Sequence, residues 1–195
     1  MGQGSAPALA LRVSYVGELG WELHIPTEYA LHAYETLWEA GEALGVVNAG
    51  YRAIESLRLE KGYRYWSADI SGDYNPYEAG LGFAVKLDKG DFVGRSALLK
   101  IKAEGPKRRL CCLSLGQAQV QLYGGETLLS GNKSVGRVSS GGYGYTLGQT
   151  IAYGYLPADL AKPGTKIEVS VLGERHLAVV EKEPLYDPMG ARIKA

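Results

Sequence analysis

The chain has 195 residues, 46% apolar and 22% charged, enough for one large globular domain or two small ones. Lys plus Arg (21) equals Asp plus Glu (21), so no net field attracts nucleic acid or an anionic membrane, and no run approaches the roughly 20 apolar residues of a membrane span. Two adjacent cysteines, Cys111 and Cys112, supply neither a disulfide framework nor a metal site; they point to a reducing compartment, the cytoplasm or, in a eukaryote, the mitochondrial matrix.

Residues 1–10 are mostly small and read as a linker or expression scar. From Leu11 to Leu23 the pattern is strand, tight turn, strand. Val13 and Tyr15 alternate with Arg12 and Ser14, Trp21 and Leu23 alternate with Glu22 and His24, and Gly17 and Gly20 bracket the turn. Tyr15 and Glu22 then fall on neighbouring strands, a phenol and a carboxylate able to converge on one polar patch. A solvated surface hairpin is the plainer alternative. A chain that opens on such a hairpin also suggests that further partner strands lie upstream.

A helix follows Pro26 and Thr27, with Leu31, Tyr34, Leu37, Trp38, Gly41 and Leu44 at helical spacing and Gly45 as its stop; this stripe reads as core. A second helix runs from Tyr51 to Lys61 and ends at Gly62, with Arg52, Glu55 and Arg58 spaced for ion pairs. Tyr63-Arg64-Tyr65-Trp66 is extended and aromatic; its rings either pack in the core or sandwich a flat heterocycle. Residues 69–77 form a loop, Glu78 caps backbone amides of a turn, Leu81 to Leu87 reads as a strand, and a short helix starts at Arg95.

Glu104-Gly105-Pro106-Lys107 marks a domain boundary, giving a first domain over 11–104 and a second over 107–195. Beyond it, strand signals recur at 109–115, 126–129, 134–140, 150–155, 166–171 and 177–182. With 27 glycines, about twice the usual share, they predict a small antiparallel barrel. Ser139-Ser140-Gly141-Gly142-Tyr143-Gly144 lacks the lysine and following helix of a phosphate loop and reads as a turn. Cys111 and Cys112 point to opposite faces of one strand. Three scattered histidines give no zinc spacing, and no nucleophile elbow or dinucleotide fingerprint is present.

Tyr15-Val16-Gly17-Glu18-Leu19-Gly20-Trp21-Glu22 resembles the Tyr-x-Gly-Glu-x-Gly-x-Glu signature of the glycine-cleavage T-protein (aminomethyltransferase) family. Ser56 to Gly62, Pro76 to Leu81, Lys86 to Arg95, Gly154 to Pro157 and Lys162 to Thr165 agree with it in order. Residues 49–66 most resemble the C-terminal folate module of sarcosine and dimethylglycine dehydrogenases, flavoenzymes in which that module follows an FAD domain. The resemblance implies an α+β fold, the C-terminal half of the folate-binding domain (a mixed sheet with helices) followed by the barrel. It implies a fragment without the family's N-terminal half, whose partners would be that absent half or an FAD domain, the small-molecule folate and further copies of itself in a homo-oligomer.

The resemblance also implies tetrahydrofolate as ligand and one-carbon transfer to its N5 from an iminium made upstream by flavin oxidation, with FAD confined to the upstream domain. By family position Glu22 accepts the pterin's paired N–H donors, Tyr15 lies near N5, and Tyr63 lines the pocket. The family's catalytic aspartate has no counterpart, so no catalytic residue is expected. Ile54 replaces an arginine that contacts folate, leaving Arg192 as the cation for the glutamate tail. The alternatives are a non-catalytic assembly module that has lost folate, and the folate-binding relatives of tRNA modification, whose Lys-Gly-Cys-Tyr-x-Gly-Gln-Glu motif this hairpin does not match.

Overall fold

The computed structural model describes residues 5–195; the first part of the 1–10 linker lies outside the described residues. Two short strands, β1 (Leu9–Leu11) and β2 (Glu22–His24), pair antiparallel with Leu9 opposite His24 and Leu11 opposite Glu22. The hairpin therefore supplies its own partner strand. Its connection is ten residues long, so Tyr15 lies in the connection and not on a strand opposite Glu22. Gly17 has φ +80°, and a Cβ there would lie 2.9 Å from the Lys61 side chain, which fixes this connection onto the second helix.

A single 3₁₀ turn (Thr27–Tyr29) leads into α1 (Ala30–Glu42), which is capped by Ala43, with Gly45 in the left-handed region of the turn that follows. The apolar stripe expected to be core is on the surface: Leu31 is 69% exposed, Leu37 55% and Leu44 87%, and α1 has no buried residue. Periodicity identifies which side chains favour burial; the described segments half-bury Trp38 and Gly41 and leave the rest of the stripe largely uncovered. The expected mixed sheet is likewise a two-stranded antiparallel one.

The helix α2 (Tyr51–Lys61) ends, as its sequence predicts, at Gly62 with φ 76°. The strand expected over 81–87 is absent; a 3₁₀ turn (Gly82–Ala84) stands there with Phe83 exposed. Helix α3 (Arg95–Glu104) precedes the barrel.

Six strands close the barrel: β3 (Arg108–Ser114), β4 (Thr127–Ser130), β5 (Lys133–Gly144), β6 (Gln149–Pro157), β7 (Lys166–Val171) and β8 (Glu174–Glu181), in the antiparallel order β3-β6-β5-β4-β7-β8. Leu113, Leu128, Ala152, Leu156, Val169 and Ala178 fill its interior at 0% exposure. A second cluster, Leu59, Leu110, Cys112, Ile151, Tyr153 and Tyr155, joins the barrel wall to α2. Cys111 belongs to the first cluster and Cys112 to the second, as the alternation of a strand requires. Burial pushes their thiols up, to about 11 and about 12.

The glycine-rich stretch read as a turn is the second half of β5. Its glycines serve close packing: a Cβ on Gly141 would lie 2.6 Å from Leu122, and one on Gly144 2.9 Å from the Glu60 side chain of α2. Glycine here lets a helix lie close on a strand.

Candidate functional site

Four consecutive residues at the end of α2, Arg58, Leu59, Glu60 and Lys61, are buried, three of them charged. Each charge has a partner from another segment. Arg58 Nη1 donates to Asp69 Oδ2 at 2.6 Å, and the guanidinium also binds Glu55. Burial alone would lower the Arg58 pKa, but the Glu55 and Asp69 carboxylates more than offset it and hold the group charged. Asp69, wholly buried, further accepts hydrogen bonds from the Ser139 and Ser140 hydroxyls of β5 and from the Tyr65 amide at 2.9 Å. Glu60 Oε1 accepts the Thr146 and Leu147 amides at 2.8 and 2.9 Å. Lys61 Nζ reaches Asp187 Oδ2 at 2.9 Å, and that hydrogen bond is the main cause that holds the Asp187 carboxyl below its usual range. The first domain is thus tied to barrel and C-terminal segment by a continuous polar seam.

Beside this seam lies a cleft of ≈ 540 Å³. Tyr15, from the β1–β2 connection, and Tyr63, just after α2, line it with rings stacked 11° from coplanar and centroids 5.9 Å apart. The Tyr15 hydroxyl donates to the Arg64 carbonyl at 2.7 Å, and burial raises its pKa. Arg64 underlies the cleft: its guanidinium binds Glu183 through both terminal nitrogens, donates to the Gly62 and Ala79 carbonyls, and lies 5.4 Å from the Tyr153 ring centroid. Ile70, Leu81, Phe83 and Pro184 supply apolar walls. An apolar slot with a few fixed polar groups is the ordinary form of a small-molecule site.

The structure brings Tyr15 and Tyr63 together and leaves the other two expected residues outside the cleft. The Glu22 side chain is 56% exposed, with Oε2 3.7 Å from His24 Nε2. Arg192 lies in the exposed turn after Asp187, its amide donating to Asp187 Oδ2 at 3.1 Å. The Arg64–Glu183 pair was not read from the sequence. Its one local signal is a carboxylate preceding a proline beyond the last strand. Glu78 does accept the Asn75 amide, at 3.1 Å, the capping role expected of it. Among the described residues no group of three or more His, Cys, Asp and Glu is placed to hold a metal ion, and no helix is long and apolar enough to cross a membrane.

Comparison with known proteins bears on the whole arrangement. Residues 2–89 match the GCVT N-terminal domain, and residues 108–187 match the glycine cleavage T-protein C-terminal barrel domain. The human mitochondrial dimethylglycine dehydrogenase is 43% identical over 92% of this chain and 21% of its own length; an aminomethyltransferase of Halothermothrix orenii is 40% identical over 92% of this chain and 50% of its own. The crystal structure of the glycine cleavage system aminomethyltransferase T from Bartonella henselae superposes with a TM-score of 0.84 at 30% identity, covering 92% of this chain and 50% of that one. The chain thus spans about a fifth of the dehydrogenase and about half of the aminomethyltransferases.

These matches correct the expectation of a fragment lacking the N-terminal half. The sheet-and-helix layer ahead of the barrel is itself matched by the N-terminal domain, so the architecture is that of both T-protein domains and not of a C-terminal half with a barrel appended. An absent half or absent FAD domain is accordingly withdrawn as a partner. With its two domains matched in order over most of its length, the chain belongs to the glycine-cleavage T-protein family.

Proposed function

We propose that this chain is the tetrahydrofolate-binding, one-carbon-transfer part of a sarcosine/dimethylglycine dehydrogenase-like or aminomethyltransferase protein. The observation that supports it is the Tyr15–Tyr63 pair, stacked at 5.9 Å along one side of an apolar-walled cleft. Parallel phenol faces beside aliphatic walls suit a flat, partly reduced bicyclic ring, and ≈ 540 Å³ is ample for a pterin and the aromatic ring attached to it. When bound, a reduced folate supplies a nucleophilic nitrogen that accepts the one-carbon unit.

The chain's own residues then position and desolvate. Tyr63 presents a ring face. Tyr15, anchored through its hydroxyl to the Arg64 carbonyl, presents the second as a neutral phenol, and burial shifts its pKa further up. The Arg64–Glu183 pair holds the segment that carries Tyr63 against the barrel. Glu22 is assigned the pterin's paired N–H donors, and Arg192 the glutamate tail; both lie on exposed, unburied segments from which a side chain can turn. Two buried free thiols suit a reducing compartment.

A second reading, a binding or assembly module that no longer uses folate, draws on the position of Glu22, which is associated with His24 and not with the cleft. Calorimetric titration of tetrahydrofolate separates the two. The folate reading expects saturable binding that weakens on Tyr63→Ala and falls by about 1.5–3 kcal/mol on Glu22→Ala, the scale of a hydrogen bond to a charged group. Binding unaffected by either substitution refutes the site, and absence of binding to the unsubstituted chain favours the assembly module.

A further inference from the structure

A second cleft, of ≈ 620 Å³, opens on the barrel wall where the β5–β6 ladder stops. β5 pairs with β6 only from Val138 onward, whereas β6 continues along β3 as far as Pro157 opposite Arg108. The first half of β5, up to Arg137, pairs with β4 instead. The end of β6 and the start of β5 thus run side by side without a ladder, still touching at Gly136, where a Cβ would lie 2.1 Å from the Tyr155 carbonyl oxygen, and the cleft lies over this unladdered stretch.

Its lining is one-sided in charge. It contains Lys107, Arg108 and Arg137 and no carboxylate, in a chain whose cations and anions balance at 21 each. Arg108 is fixed: it lies over Tyr74 and Tyr155, which stack at 3.8 Å, and its Nε donates to Glu78 at 3.0 Å, so its charge is largely answered. Lys107 and Arg137 are exposed, and their side chains have no hydrogen-bond or ion-pair partner among the described residues. Two unanswered like charges on one concavity repel each other. A polyvalent anion between them removes that repulsion and gains charge-assisted hydrogen bonds, and the aromatic and aliphatic walls focus the field into the cleft.

We infer that this cleft binds a small polyanion, a phosphate ester or polycarboxylate, held by Lys107 and Arg137 with the Ser134 hydroxyl as a further donor. The bounded concavity suits a small molecule. A nucleic acid or a membrane would read a broad surface, and a neutral chain offers neither a general attraction. The cleft shares no residue with the Tyr15–Tyr63 cleft, so the inference stands apart from the folate reading.

The test is calorimetric titration of pyrophosphate and, separately, citrate into the full chain and into Lys107→Ala, Arg137→Ala and Lys133→Ala, each checked for an unchanged thermal midpoint. Lys133 is an exposed cation on β5 outside the cleft and serves as the control. One anion per chain is expected, weakened roughly tenfold or more by either cleft substitution, the scale of one charge-assisted hydrogen bond, and unchanged in the control. The preferred probe distinguishes a phosphate-type from a carboxylate-type ligand; equal binding of both supports selection by charge alone. No saturable binding, binding that survives both cleft substitutions, or equal weakening by Lys133→Ala overturns the assignment.

Discussion

The barrel and the layer that precedes it are built from similar proportions of apolar side chains and differ in what those side chains meet. In the barrel, alternate residues of every strand point into a closed interior, and residues such as Leu113, Leu128 and Val169 lose all solvent contact. Ahead of Arg58, by contrast, Gly17 is the only buried residue among those described, and Leu9, Trp21, Leu31, Leu37 and Val47 are exposed. A strand closed into a barrel finds its partners by topology, whereas an amphipathic helix or hairpin needs a second layer. The sequence pattern is equally regular in both; only the presence of an opposing face separates them.

The two regions meet at the polar seam at the end of α2, and the largest expected effect lies there. Asp69→Ala strips Arg58 of its buried partner and removes the acceptor of two β5 hydroxyls and the Tyr65 amide. Removing one member of a buried ion pair typically costs about 3–5 kcal/mol; Glu55 still answers part of the Arg58 charge, which puts the expected loss at the lower end, about 3 kcal/mol. Urea denaturation should show a loss of that order. A loss below about 1 kcal/mol, the surface-pair range, would mean that water reaches Arg58 and that the seam does not join the two regions rigidly.

Next comes the barrel interior. Leu113 is fully buried in the core cluster, and Leu113→Ala should lower stability by about 2–5 kcal/mol, through lost transfer energy and the cavity left behind. A markedly smaller loss in equilibrium unfolding would show that the barrel collapses around the cavity and is less tightly packed than its burial indicates.

How far the sequence discloses all this follows the same division. The bounds of α2 and β7 are legible to the residue, because capping glycines and strict alternation are local signals. The second half of β5 is not: its glycines carry turn chemistry on paper, and only the approach of Leu122 and Glu60 explains them as strand residues. The exposure of the α1 stripe is equally hidden, since helical spacing does not say what lies opposite. At the cleft, Tyr15 and Tyr63 are recoverable from the motif and from the aromatic run after α2. The support beneath them is not, because Arg64 and Glu183 are 119 residues apart and a bidentate ion pair leaves no trace in spacing. Glu22 shows the converse error. Alternation places it on a strand opposite Tyr15, whereas a ten-residue connection puts Leu11 there instead.

The smallest expected effect sharpens the comparison most directly, because it repeats one chemical change in the other region. Leu31 lies on α1, 69% exposed, in a helix with no buried residue. Leu31→Ala removes the same atoms as Leu113→Ala but opens no cavity, returns little apolar surface to water and replaces one good helix former with a better one. The expected change in unfolding free energy is within about 0.5 kcal/mol of zero, the range of surface substitutions, with an unchanged dependence on urea. A loss comparable to that at Leu113 would contradict the exposure of α1: it would mean that the stripe is covered in solution and that the two regions differ less than their burial indicates. A null result would instead establish that the fold's stability resides in the barrel and the seam, and that the layer bearing Tyr15 is held by the seam and the cleft, with its own apolar face contributing nothing.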